Sequence, residues 1–304
     1  MPNEIKPSDA NAITRRYLDS ILIEERLIDS DIPSLGVELF GKHFDTPVMM
    51  PAFSHLHIFA KEREDGMREY ARAAKTLGAV NFVGMSGDEE FAAIAAVGAP
   101  TVRIVKPYAD RDKVICQLKA AEESGALAVG MDIDHIFSSK GTYDNVFSEG
   151  MTAQKITDLA EYVRVTKLPF VVKGVLSVRD AVKCAEAGAS AVLVSHHHGR
   201  LPFAVPPLMV LPAIRKALGK KFTIFADCGI DTGADAFKAL ALGANAVAVG
   251  RAIMPPLVKD GAQGVVDYVG KMNDELSMVM AFTGFRTVAD IEPSCLWLDG
   301  KPMA

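Results

Sequence analysis

Eight short runs rich in Val, Ile and Ala recur along the 304-residue chain, and each is followed by small or polar residues and a longer segment. Parallel strands that are buried on both faces have such continuous apolar sequences. The alternation of these strands with helices predicts an α/β protein. The runs lie at positions 46–52, 79–84, 101–106, 128–132, 170–173, 191–195, 223–227 and 246–250.

The segments between the runs have helical periodicity. Between positions 177 and 187, apolar residues recur at the i, i+3, i+4, i+7 spacing, with Ser177 as the N-cap candidate and Gly188 as the C-cap candidate. Repeated strand–helix units predict a single-domain (β/α)₈ TIM barrel over 35–304, preceded by a helical extension over 1–34. An open doubly wound sheet is the alternative, but the GxGxxG motif expected after its first strand is missing there.

Composition excludes several classes of protein. Lys and Arg number 33 against 38 Asp and Glu, a net charge of −5 without a basic run, so we expect no nucleic-acid partner. Every apolar run ends before the roughly 20 residues of a transmembrane helix, and the N-terminus lacks a secretory signal, so we expect no membrane partner. The four cysteines lie far apart without a CxxC pair, which favours a reducing cytoplasm over a disulfide scaffold.

The loops that follow barrel strands meet around one mouth, where the chemistry of such folds takes place. The polar stretch 133–154 is longer than an ordinary strand-to-helix loop, and we expect it to be a mobile loop over this mouth. The chemically functional side chains near the predicted strand ends are those of His55, His57, Lys106, Tyr108, Asp132, Lys173, His196, His197, His198, Arg200, Asp227 and Arg251.

The last two strands end in glycine-containing turns, Asp227-Cys228-Gly229 and Gly250-Arg251. Glycines let backbone N–H groups approach an anion, and the guanidinium adds a bidentate charge, so these turns predict a phosphate site. The alternative is two tight turns with a surface arginine.

The sixth strand ends in Ser195, three consecutive histidines and then Gly199 and Arg200. A general base beside a guanidinium that binds a carboxylate accounts for this pattern. A histidine satisfied in the core, or a surface cluster that binds metal adventitiously, is the alternative.

Other strand-end side chains allow two interpretations each. Lys173 can stabilise a developing anion or form a Schiff base, or it can form a buried salt bridge with Asp132. Asp132 can orient an imidazole, or Asp132 or Asp134 can cap a helix. His55 and His57 can bind a metal at the first strand, or they can line a loop with one of them packed inside.

Several motifs in order resemble the FMN-dependent α-hydroxy acid dehydrogenase and oxidase family, the group of glycolate oxidase and lactate oxidase. The similarity extends over about 35–291. The motifs are 171–175 (VVKGV), 187–189 (AGA), 194–200 (VSHHHGR), 227–230 (DCGI), 237–244 (FKALALGA), 249–251 (VGR) and 283–286 (TGFR).

This resemblance implies a barrel that binds FMN at the strand ends and oxidises a small 2-hydroxy acid, such as L-lactate, to the 2-oxo acid. By resemblance, His197 is the base, Asp132 its paired carboxylate, Lys173 the cation beside the flavin, and Arg200 and Tyr108 the substrate contacts. A homo-oligomer, a tetramer or larger, is implied as well, and the electron acceptor stays open. The implied cofactor-binding residues are Ala52, Phe53, Gly84, Lys106, Lys173, Ser195, Asp227, Gly229, Gly250 and Arg251.

The chain departs from the family pattern at several positions. His196 and His198 replace an Asn and a Gly beside the base, and Phe203 replaces an Asp. Asp231 stands where an arginine helps to hold phosphate. A second substrate arginine is lost near positions 139–140, and the segment with a further substrate tyrosine is shortened or absent.

Three other functions remain open at this stage. A metal-dependent hydrolase barrel would use His55, His57, Lys173 and the histidine cluster, although its eighth strand would end in Asp rather than Gly-Arg. A flavin-dependent isomerase would use the same barrel. A non-catalytic flavin-binding protein would fit the lost arginine and tyrosine.

Overall fold

The computed structural model describes residues 6–56, 61, 63 and 65–303. Its central feature is a closed barrel of parallel strands in sequence order, and β8 closes on β1 through the pairs Val247↔Val48 and Ala248↔Met49. The predicted TIM barrel is confirmed. The strands are β1 (Val48–Phe53), β2 (Asn81–Val83), β3 (Thr101–Val105), β4 (Ala128–Asp132), β5 (Phe170–Val175), β6 (Ala191–Val194), β7 (Thr223–Ala226) and β8 (Ala246–Ala248).

Helices separate these strands and surround the barrel. The helix after β5 begins as expected, because the Ser177 side chain accepts from the Asp180 N–H, and Gly188 follows its end with a φ of +92°. The helices are α1 (Ala10–Ser20), α2 (Gly66–Thr76), α3 (Asp88–Ala95), α4 (Arg111–Glu123), α5 (Ile156–Val165), α6 (Val178–Glu186), α7 (Pro207–Leu218), α8 (Gly233–Ala241) and α9 (Met254–Thr283). Within the described ranges, none of the helices is long and apolar enough to cross a membrane.

Smaller elements complete the fold. Strand Leu22–Ile23 pairs with Leu296–Leu298 near the C-terminus, which in turn pairs with Lys301–Pro302. A hairpin of Val37–Leu39 and Lys42–Phe44 precedes β1. One-turn 3₁₀ helices lie at Arg251–Ile253, Val288–Asp290 and Pro293–Cys295.

The helix α1 packs against the loop after β6 and against α8. Thr14 Oγ1 lies 2.8 Å from His196 Nε2, and Lys238 Nζ donates to the Leu18 carbonyl at 2.8 Å. The predicted helical extension therefore contains a helix that contacts the mouth. The boundary at residue 34 stays a prediction.

The long loop after β4 has structure of its own. Phe137 and Tyr143 form an isolated antiparallel β-bridge, and a hairpin of Asn145–Val146 and Glu149–Gly150 follows. Its return segment bridges Tyr108 through Met151 and so lies over the end of β3. The loop covers part of the mouth, and its mobility stays a prediction.

Candidate active site

A cavity of 790 Å³ opens at the C-terminal ends of the barrel strands, within the size range of small-molecule and cofactor sites. Both the strand ends and α1 contribute to its wall. Its lining includes Asn11, Thr14, Arg15, Ala52, Phe53, Lys173, His197, His198, Asp227, Cys228, Gly229, Asp231, Val249, Gly250 and Arg251.

The loops after β7 and β8 form the cationic end of this cavity. Gly229 adopts a φ of +79°, a conformation that favours glycine. Arg251 lines the cavity and, within the described part of the chain, has no carboxylate oxygen within 4.0 Å. Arg15 Nε is buried and has no hydrogen-bond partner among the described atoms. Two guanidinium groups therefore have donor capacity left for an anion.

Asp231 opposes these cations. It lines the same end of the cavity, and burial, followed by the charge of Asp235, raises the pKa of its carboxyl. Asp235 itself accepts from Arg15 Nη2 at 2.7 Å and from Arg15 Nη1 at 3.0 Å, so this pair joins α1 to α8.

His197 is the centre of a buried polar network. Its Nδ1 lies 2.5 Å from Asp134 Oδ1, 3.4 Å from Asp132 Oδ2 and 3.3 Å from Lys173 Nζ. Its φ of +47° is strained for a residue other than glycine. Burial and Lys173 oppose protonation, but Asp132 and the hydrogen bonds to both carboxylates outweigh them and raise the pKa of His197.

Two lysines face Asp132. Lys106 Nζ donates to Asp132 Oδ2 at 2.6 Å, and Lys173 Nζ lies 3.9 Å from the same oxygen because β4 and β5 pair Asp132 with Lys173. Burial opposes ionisation, yet the two ammonium groups and His197 hold the pKa of Asp132 well below its usual range. Burial would lower the pKa of Lys173, but Asp132 and Asp134 raise it, so Lys173 remains a cation. The Schiff-base interpretation needs a depressed pKa of Lys173, which these carboxylates oppose.

The three histidines after β6 have different surroundings. His196 is buried, and its Nδ1 accepts from the Gly199 N–H at 3.1 Å while Nε2 contacts Thr14. Burial lowers the pKa of His196. His198 lines the cavity, and its carbonyl accepts from Asn11 at 3.2 Å. His196 therefore holds α1 in place, while His197 and His198 face the cavity.

Arg200 contacts the long loop after β4. Its Nη2 donates to the Phe137 carbonyl at 2.9 Å and lies 3.2 Å from Asp144 Oδ2. The same Asp144 oxygen lies 3.1 Å from His135 Nε2, and His135 Nδ1 lies 3.2 Å from Lys106 Nζ. Burial, then Lys106, lowers the pKa of His135 to about 4, so this ring is neutral at pH 7.

Comparison with known proteins decides the family. A family model described as FMN-dependent dehydrogenase matches residues 8–152 and 139–298.

The chain belongs to the FMN-dependent dehydrogenase family.

This family member is similar to glycolate oxidase 3 of Arabidopsis thaliana, with 30% identity over 92% of this chain and 84% of that protein. It is 27% identical to a 2-hydroxyacid oxidase of Dictyostelium discoideum over 92% of this chain and 80% of that protein. A solved structure described as a lactate oxidase of Pediococcus acidilactici has a TM-score of 0.88 and 26% identity, and covers 96% of this chain and 87% of that one. The chain is an FMN-dependent oxidoreductase, and these relatives support neither the hydrolase nor the isomerase.

The cavity fits the family's cofactor, FMN. Arg251, the free Nε of Arg15 and the glycine turns suit its phosphate, and Ala52, Phe53 and Val249 offer an apolar wall to a ring system. When FMN is bound, the Lys173 ammonium group on the cavity wall would supply a fixed cation that favours a negatively charged reduced ring. The carboxyl group of Asp231, at the same end of the cavity, opposes the phosphate.

The structure brings most of the predicted site residues together. Four lie directly behind the cavity wall rather than on it. Gly84, for example, approaches β1 so closely that a Cβ would lie 2.9 Å from the Ala52 carbonyl oxygen. The predicted residues on the wall are Ala52, Phe53, Lys173, His197, Asp227, Gly229, Gly250 and Arg251, and those behind it are Gly84, Lys106, Asp132 and Ser195.

Other predicted contacts lie elsewhere. Tyr108 is only 2% exposed beneath the return segment of the long loop, so substrate contact there requires the loop to move. The predicted helix cap at Asp132 is wrong, because a loop and not a helix follows it. The His55 ring packs against the Phe147 ring, with centroids 4.8 Å apart and planes tilted by 38°, in agreement with a loop lining. His57 lies outside the described residues.

Sequence reasoning missed two groups of site residues. Asn11, Thr14 and Arg15 come from α1 and contact residues more than 180 positions away in sequence, so no local signal identifies them. The sequence predicts Asp134 only as a cap candidate, although its position two residues after Asp132 at a strand end is a usable signal.

Proposed function

We propose that this protein oxidises a small 2-hydroxy acid, with L-lactate as the model substrate, to the corresponding 2-oxo acid. The names of its relatives, which include a 2-hydroxyacid oxidase and a glycolate oxidase, support this substrate class. Bound FMN supplies the acceptor for the hydrogen and two electrons that leave the substrate carbon.

The observation that carries the proposal is the environment of His197. Its Nδ1 is committed to buried carboxylates, so Nε2 is the nitrogen that takes the substrate's hydroxyl proton. The carboxylates then stabilise the imidazolium that forms. Lys173 offsets the negative charge that the site gains.

Arg200 holds the substrate carboxylate in this proposal. A guanidinium matches a carboxylate with two parallel hydrogen bonds, and Arg200 stands three residues from His197 at the same strand end. Its present partners are the loop residues Phe137 and Asp144, so substrate binding exchanges one carboxylate for another.

The test is anaerobic mixing of the flavin-loaded protein with a panel of 2-hydroxy acids that includes glycolate and both lactate enantiomers. We expect the visible flavin absorbance to bleach with at least one of them. His197→Ala should retain flavin and reduce it more slowly, by on the order of 10²–10⁴. Absence of bleaching with every acid would overturn the proposal.

We further propose that the protein is a cytoplasmic homo-oligomer, a tetramer or larger. The four cysteines are free, in keeping with a reducing compartment. Ile28 and Ile32 are 92% and 89% exposed, which suits contact with another copy. Light scattering coupled to size-exclusion chromatography tests the oligomer, and a mass of one chain would contradict it.

A further inference from the structure

Two carboxylates reach the same imidazole nitrogen. Asp134 Oδ1 lies 2.5 Å from His197 Nδ1, whereas Asp132 Oδ2 lies 3.4 Å from it. A single N–H can make one short, direct hydrogen bond, and the distances favour Asp134 as its acceptor.

Asp132 has other partners. Its Oδ2 accepts from Lys106 Nζ at 2.6 Å and has Lys173 Nζ at 3.9 Å, while its Oδ1 lies 3.4 Å from the Asp134 backbone nitrogen. This carboxylate therefore balances two buried ammonium groups, a role that it would keep without His197.

Asp134 is held against the backbone of β5. Gly174 has a φ of +89°, and a Cβ there would lie 2.5 Å from the Asp134 carboxyl carbon. The Asp134 Oδ2 atom is buried and has no hydrogen-bond partner among the described residues. Burial, then Asp132, raises the pKa of Asp134 to about 6. Burial of a carboxylate oxygen without a hydrogen-bond partner lowers stability, so we infer that Asp134 has a role other than structural pairing.

We propose that Asp134 is the positioning residue of His197: it accepts the Nδ1–H and leaves Nε2 as the nitrogen that takes the substrate proton, while Asp132 neutralises the two lysines. The inference rests on the proposed function for its catalytic meaning. It assigns the orienting role to a residue other than the strand-end carboxylate Asp132, and it makes Gly174 a requirement of the site.

Other charged or titratable groups surround this pair and act on the same titration. Because they stay in place in variants of Asp134, a change in the pKa of His197 reports on Asp134 itself. They are Asp132 from β4, Lys106 after β3, Lys173 from β5, His135, Asp144 and Arg200 at the long loop, His196 and His198 beside the ring, and Asp227 and Cys228 after β7.

Three variants separate the two carboxylates. Asp134→Ala removes both the acceptor and the charge, Asp134→Asn removes the charge and keeps an acceptor, and Asp132→Asn removes the charge that faces the lysines. Asp180→Asn, at the start of α6, is the matched control for loss of an aspartate. The isosteric Asp134→Asn keeps the test available if the alanine variant fails to fold.

Histidine side-chain NMR of the flavin-loaded protein is the first readout, and the pH profile of kcat/KM is the second. In Asp134→Ala we expect a lower pKa for His197, a loss of its Nδ1–H tautomer and a maximal kcat/KM lower by on the order of 10². In Asp134→Asn the tautomer stays, but the pKa of His197 falls, because one anion has been removed. Asp180→Asn should leave the pKa of His197, its tautomer and kcat/KM unchanged.

An unchanged tautomer and pKa of His197 in Asp134→Ala, together with a changed tautomer in Asp132→Asn, would overturn the inference. The NMR readout does not depend on turnover. If none of the 2-hydroxy acids reduces the flavin of the wild-type protein, the proposed function fails. The NMR measurement still decides whether Asp134 sets the tautomer of His197.

Discussion

At the scale of single residues, the protonation of His197 sets the pH dependence of the reaction. The base must be neutral to accept a proton, and the surrounding carboxylates raise the pKa of His197 above its ordinary 6.5. Activity is therefore present above this raised pKa and is lost as the pH falls through it. We expect the acid limb of kcat/KM to have an apparent pKa above 6.5. This apparent pKa belongs to His197 and its neighbouring carboxylates together, because they titrate as a coupled set. An acid limb centred below 6.5 would contradict this environment for His197.

The ion pair between Arg200 and Asp144 competes with the substrate. Asp144 is a carboxylate that already occupies Nη2 of Arg200 at 3.2 Å. Asp144→Asn weakens this competitor, and because the pair is partly exposed we expect KM for the hydroxy acid to fall by only roughly two- to five-fold. Steady-state kinetics on the two proteins measure the change, and kcat should stay within about two-fold. A rise in KM would show that Asp144 helps to bind the substrate.

At the scale of elements, α1 is part of the cofactor site. Arg15 connects it to α8 through two hydrogen bonds to Asp235, and its Nη1 also donates to the Gly229 carbonyl at 3.2 Å. Asp235 in turn accepts from the backbone N–H groups of Asp231 and Thr232. The helix thus fixes the loop after β7, which forms the anion-binding end of the cavity.

Arg15→Ala should weaken FMN binding and lower stability together. Asp235 loses its main cationic partner, a cost of roughly 1–3 kcal/mol, which is less than for a fully buried pair because the Arg15 side chain is 35% exposed. We expect the Kd for FMN to rise by about ten-fold, as measured by quenching of flavin fluorescence on titration. The same substitution should weaken the binding of riboflavin, which lacks the phosphate, less than the binding of FMN.

Arg16→Ala is the matched control for this prediction. Arg16 is the neighbouring residue on α1 and is exposed, so its removal should leave both the Kd and the melting temperature unchanged. Equal losses in the two variants would mean that net charge, and not the contact with Asp235, determines FMN affinity.

At the scale of the whole molecule, the barrel could be predicted because its strands are buried on both faces and appear as continuous apolar runs. The β4–β5 register follows from that fold and explains why Lys173 and Asp132 meet. These features depend on patterns that are local in sequence or repeated along it.

The rest of the site depends on long-range contacts that have no local pattern. The packing of Thr14 on His196 joins positions 182 residues apart, and hydropathy gives no indication of that pair. Which of the two carboxylates, Asp132 or Asp134, orients His197 depends on where two buried ammonium groups lie. Only the closed barrel determines those positions. The partners of Arg200 depend on the conformation of the long loop.

The most direct test of the central claim is a single-turnover reduction of the flavin-loaded protein by a 2-hydroxy acid that carries deuterium on its hydroxyl-bearing carbon. We predict that the visible flavin absorbance bleaches without oxygen, and that the deuterated acid bleaches it more slowly than the unlabelled acid does. Flavin that stays oxidised with every 2-hydroxy acid, in protein that binds FMN tightly, would contradict the assignment.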